Sequence, residues 1–214
     1  MPSIYVASLS DYNAGRLHGR WIDVERLDAE DIQYEVDRIL ETSPESRACM
    51  YCGQLTERIT SGRFEGWHVH EEGSEPVGHV ATPYGQPAEE WAIHDFDGFF
   101  GLPVGEWTSF ETIAEWARVL TEVGDDLQPA FGAYVEHTGD TDADEHTFFD
   151  HYRGEYDDMA DYAAELAEET GMLEGVPDWL QYRIDWHGVG HDLEMDGYWS
   201  TRSPGHGVYV FSDY

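Results

Sequence analysis

Even in the most acidic part of the chain, the apolar residues keep the period of a helix. Between Asp140 and Glu174 thirteen carboxylates face a single arginine, Arg153, yet Met159, Tyr162, Ala163 and Leu166 recur at the three- and four-residue steps that line one side of an α-helix. This excludes a disordered acidic tail, which lacks the apolar side chains to offset the entropy of ordering. It requires a folded element with one buried face and one solvated face of carboxylates.

The whole chain can support such burial. Its 214 residues are 41% hydrophobic and 14% aromatic, enough for one large domain or two to three small ones. Against 45 acidic residues stand 11 basic ones, all arginine, and the formal net charge is −34. Half of that charge falls in residues 128–214. Nucleic acid and anionic membrane make poor partners for this surface, since binding phosphate takes Lys or Arg to displace counterions. A protein that itself binds DNA fits better. Duplex DNA carries one charge per ~1.7 Å of axis, so 34 charges correspond to roughly 58 Å of duplex, or about 17 base pairs. The alternative is a salt-adapted acidic metal-binding or protein-interaction module, whose acidity is general rather than patterned.

No charged-then-apolar leader opens the chain and no apolar run approaches a membrane span, so a cytoplasmic location is expected. Two cysteines three positions apart do not staple a domain of this size.

Residues 3–9 and 19–23 read as strands joined across an Asp11–Gly15 turn. Asp28 then caps a helix whose face is Ile32, Val36, Ile39 and Leu40, stopped at Ser43-Pro44. Trp91, Ile93 and then Phe96 alternate with Glu90, Ala92 and Asp95, which suits a half-buried strand over Glu89–Asp95 ending at Gly98, with an anionic outer face. Residues 45–87 are rich in glycine and short polar runs and read as an insertion. Thr108-Ser109-Phe110-Glu111 forms a capping box before a helix with Phe110, Ile113, Ala114, Ala117 and Leu120 on one stripe. Pro177 opens a helical stretch through Leu193, and Tyr198-Trp199 with Val208–Phe211 form a closing hairpin.

Catalytic signatures are absent from the sequence. There is no Gly-x-Ser-x-Gly elbow, no phosphate-cradling glycine loop and no His-Glu-x-x-His, and carboxylate pairs are too common to mark general acid–base chemistry. Asp140–Asp144 begins like a calcium loop but has Glu145 where glycine is needed and His151 where the bidentate glutamate is needed. His187 and His191, one turn apart beside Asp185 and Asp192, imply no third ligand. Cys49 and Cys52 with His68 and His70 have the ligand types of a zinc site, but the histidines are spaced by one residue rather than three to five. Two reduced thiols is the competing reading.

Three ordered stretches resemble the ArdA-type antirestriction proteins, which imitate DNA: the Tyr5–Asp23 run, the Ala88–Phe99 run (Ala-Glu-Glu-Trp-Ala-Ile-His-Asp-Phe-Asp-Gly-Phe), and Phe148–Asp158. The resemblance spans most of the chain apart from about 45–87. It implies an α+β fold, an elongated, curved chain of three small domains: a small antiparallel sheet plus helix over 1–105 with the insertion, a helical middle over 106–150, and an acidic α+β C-terminal domain over 151–214. It implies a homodimer, commonly encoded on a mobile genetic element, that is not an enzyme and that inhibits type I restriction-modification enzymes by occupying their DNA-binding groove. The carboxylates that would stand for phosphates are Glu89, Glu90, Asp95, Asp97, Glu111, Glu115, Asp150, Glu155, Asp157, Asp158, Asp161, Glu165, Glu168 and Glu169.

Overall fold

The computed structural model describes residues 1–44, 57–58, 68–69 and 88–213. They form an α+β protein whose packing divides into two compact units, one of Met1–Phe99 and Pro103–Arg118, the other of Phe100–Leu102 and Val119–Tyr214. Among the described residues no helix is long and apolar enough to cross a membrane.

In the first unit, β1 (Ser3–Ser8) is the centre of a three-stranded antiparallel sheet, flanked by β2 (Gly19–Asp23) and β5 (Trp91–Asp97). Between β1 and β2 the expected turn contains a short helix, α1 (Leu9–Asn13), because the Ser8 hydroxyl caps it by accepting from the Asp11 N–H. Gly15 closes the reversal at φ 76°, a left-handed conformation that favours glycine. Helix α2 (Ala29–Glu41) begins at Asp28, whose side chain accepts from the Asp31 N–H. It packs on β1 and β2, and its Ile32, Val36 and Ile39 are buried together with Ile4, Val6 and Ile22 of the sheet. A buried hydrogen bond of 2.5 Å from the Ser43 hydroxyl to Asp11 ties the end of this helix to α1. Two further two-residue strands, β3 (Glu57–Arg58) and β4 (His68–Val69), pair with each other.

The reading of β5 needs correction. Tyr5 pairs with Asp95 but Val6 pairs with Ile93, so His94 is an extra residue, a β-bulge. Ala92, expected outside, is buried beside Ile93, and beyond the bulge Phe96 falls opposite Ile4 on the core-facing side, as expected, yet stays 43% exposed.

Helix α3 (Phe110–Val123) begins one residue off the expected box. Ser109 Oγ accepts from the Thr112 N–H, while the Thr108 hydroxyl accepts from the Gly105 N–H instead. The buried stripe on α3 is also wider than expected, taking in Trp116, Val119 and Val123.

In the second unit α4 (Gln128–Thr138) and α5 (Glu145–His151) lead into β6 (Tyr152–Tyr156), then α6 (Met159–Glu169), α7 (Asp178–Gln181), α8 (Trp186–Met195), β7 (Tyr198–Arg202) and β8 (Val208–Ser212). The closing hairpin β7–β8 is present as expected, but β8 is the central strand, with β6 on its other side. Strand β6 lies within the acidic stretch, where no strand signal stands out in the sequence, and a bulge between Tyr152 and Gly154 breaks its alternation. The helical stretch after Pro177 is two helices, because Asp185 starts a new one by accepting from the Gly188 N–H. Phe131, Phe148 and Phe211 are fully buried and meet edge to face, Phe131 and Phe148 at 5.7 Å. Helix α8 packs on α6 at Gly190, where a Cβ would stand 2.9 Å from the Met159 carbonyl oxygen.

Candidate functional site

The candidate carboxylates fall into separate groups. On α6 the buried side is Ala160, Tyr162, Ala163 and Ala167. Asp161, Glu165, Glu168 and Glu169 are all exposed on the other side. The helical period dictates this, since positions i, i+4, i+7 and i+8 share a face. None of the four is paired with a cation among the described residues. With a rise of ~1.5 Å per residue, four charges over eight residues amount to roughly one per 3–4 Å of axis.

Asp158, counted among these carboxylates, is half-buried and is the N-cap of α6, accepting from the N–H groups of Ala160 at 2.8 Å and Asp161 at 3.1 Å. Its negative charge faces the positive end of the helix dipole. Asp144 has the same role at α5. The backbone N–H of Thr147 and then its hydroxyl hold that carboxyl below the usual range.

Glu155 lies on β6, exposed, in register with Tyr209 on β8. Glu165 accepts a 3.0 Å hydrogen bond from the Tyr156 hydroxyl. Burial first, and then that bond and the charges of Glu165 and Glu169, push Tyr156 up to about 12. Tyr152 is also raised to about 12, mainly by burial and then by the charge of Glu155. Asp157 and Asp150 are exposed, Asp150 in the last turn of α5.

In the first unit Glu89 and Glu90 are exposed just ahead of β5. Asp95 and Asp97 are exposed on one face of β5, and the bulge at His94 puts them there, beside Tyr5 and Ser3. Glu111 occupies the first turn of α3, where its charge suits the helix dipole. Glu115 is paired with Arg118 at 2.6 Å.

Sequence reasoning missed Asp23. It pairs across from Ser3 on β1, and Ser3 pairs on its other side with Asp97, so the three strands bring two distant carboxylates into one row. The signal was the strict pairing of the Tyr5–Asp23 hairpin, which fixes faces once its register is known.

Cys49, Cys52 and His70 lie outside the described residues, and of His68 only its backbone place in β4 is described. Among the described residues no group of three or more His, Cys, Asp or Glu is placed to hold a metal ion. Among the described residues, depressions flank the sheet-plus-helix layer and the α6–α8 pair, the latter lined by Asp158, Asp161, Asp185 and His187. No catalytic constellation is assembled among these lining residues.

A family model described as antirestriction protein (ArdA) matches residues 4–208. No curated protein matches the chain.

Proposed function

The chain belongs to the ArdA family of antirestriction proteins, and from that premise we propose that it inhibits type I restriction-modification enzymes by lying in their DNA-binding groove. Its carboxylates stand where phosphates would stand. The observation that carries this reading is the outer face of α6, where Asp161, Glu165, Glu168 and Glu169 are exposed together. Their spacing, roughly one charge per 3–4 Å, is close to the one per ~3.4 Å of a single DNA strand. An acidic surface made only for solubility needs no such track.

The proposal includes what the resemblance implies of assembly, a homodimer of three small domains without catalysis; no cofactor is invoked, zinc at Cys49, Cys52, His68 and His70 being the alternative. The partner is the enzyme's basic groove, not nucleic acid. Purified protein is expected to block cleavage by a type I enzyme in proportion to its concentration, with saturating duplex DNA relieving the block. Inactivation at substoichiometric amounts, or a block that DNA does not relieve, would overturn the reading in favour of covalent chemistry or proteolysis.

A further inference from the structure

The open face of the first unit's sheet combines aromatic rings and carboxylates in adjacent rows. Trp21, Tyr5 and Asp95 occupy one row across β2, β1 and β5, and Asp23, Ser3 and Asp97 the next. Cross-strand neighbours lie ~5 Å apart and successive rows ~7 Å. Trp21 is 49% exposed, and its ring centroid is 5.7 Å from that of Tyr5 at 60°. The three aspartates are exposed, and Ser3 between two of them leaves room above the strand.

Two features keep this face anionic. The bulge at His94 shifts the alternation of β5 by one, which brings Asp95 and Asp97 to this side, as bulges re-aim side chains elsewhere. Arg20, the one arginine within β2, belongs to the opposite face with Val6 and is paired there with Glu35 of α2. No basic residue occupies any of the six positions of the two rows.

We propose that this face is a docking platform for arginine side chains of a protein partner, the guanidinium plane stacked on the exposed Trp21 ring, the tilted Tyr5 ring flanking it, and its N–H groups reaching Asp23, Asp95 or Asp97. Charge alone would accept lysine equally. Rings beside carboxylates favour arginine, because its planar and weakly hydrated cation stacks while an ammonium holds its water. The inference rests on the antirestriction reading for the identity of the partner, whose basic groove supplies the arginines. It does not rest on that reading for the chemistry of the face.

The test uses the full chain labelled with fluorotryptophan, the Trp21 signal being assigned by its absence in Trp21→Phe, or in Trp21→Tyr if the first variant folds poorly. Two short peptides of equal length and charge are titrated, one carrying arginines and one lysines. The Trp21 signal is expected to saturate about two- to fivefold earlier with the arginine peptide, and the double variant Asp95→Asn, Asp97→Asn should delay that saturation while leaving the signals of other tryptophans as they were. A Trp21 signal that ignores both peptides, or follows both alike, overturns the platform. A restriction assay on the same protein separates the two readings: loss of the antirestriction effect with the arginine preference intact would sink the proposed partner and leave the platform standing.

Discussion

Asp158 serves two roles that two substitutions separate. As the N-cap of α6 it satisfies the Ala160 and Asp161 N–H groups, and as a carboxylate it adds to the acidic surface. Alanine removes both roles, whereas asparagine keeps an acceptor for the cap and removes only the charge. Asp158→Ala is expected to cost about 1 kcal/mol in urea unfolding and Asp158→Asn only a few tenths, while the two weaken inhibition alike. Tyrosine burial makes a separate prediction about pH. Tyr152 and Tyr156 ionise near 12 in the fold against about 10 in an unfolded chain. Below about pH 10 both states hold the phenol protons and stability is complete. Between about 10 and 12 the unfolded chain releases them and the fold does not, so stability falls as pH rises. Urea midpoints measured across that window should decline, and less steeply in Tyr156→Phe; an unchanged slope would mean that Tyr156 is not held protonated by its surroundings.

At the scale of the element, the exposed face of α6 concentrates repulsion. Glu165 stands four residues from Asp161 and from Glu169 and three from Glu168, three like-charge pairs at about 0.2–0.5 kcal/mol each. Glu165→Gln keeps an acceptor for the Tyr156 hydroxyl and removes all three, so it should raise stability by about 1 kcal/mol at low salt, a gain that shrinks as salt screens the parent. Destabilisation by this change would place the hydrogen bond above the repulsion. This helix was legible in the sequence because the period of Met159, Tyr162, Ala163 and Leu166 is indifferent to the charge around it, and α2 was legible for the same reason with Asp28 marking its start. Strand β5 was legible in place, and Asp95 outside with Phe96 on the core side matches the bulged register, but the burial of Ala92 and the exposure of Phe96 leave no signal in composition or period. Strand β6 was hidden since Tyr-Arg-Gly-Glu-Tyr is short and a bulge between Tyr152 and Gly154 breaks its alternation. The carboxylates of α6 could be named from the sequence, whereas Asp23 could be joined to Asp97 only through the register of three strands.

For the molecule as a whole, what matters is how binding free energy is divided. A carboxylate imitating a phosphate meets one basic group in a wide groove and stays partly solvated, so each contributes about 0.2–1 kcal/mol. A conventional interface instead concentrates its energy in a few residues worth about 2 kcal/mol or more, usually aromatic or arginine. Glu155, Asp161, Glu165 and Glu169 are exposed and none caps a helix, so their neutralisation to Gln or Asn changes charge with little else. Each single variant is therefore expected to lose less than about fivefold in affinity for the restriction enzyme, and the fourfold variant far more than any single one, though not the simple product, because Asp161, Glu165 and Glu169 are coupled neighbours on one helix. Screening gives an independent check on the same account. Attraction between exposed charges weakens as the Debye length shortens from about 10 Å at 0.1 M salt to about 3 Å at 1 M, so inhibition by the parent should fall with salt, and by the fourfold variant more gently because fewer charges remain to be screened. Binding titrations of the parent, the four single variants and the fourfold variant at two salt concentrations decide it. One substitution that abolishes binding with the fold intact, or an affinity indifferent to salt, would show that the groove reads a local contact rather than a field of charge.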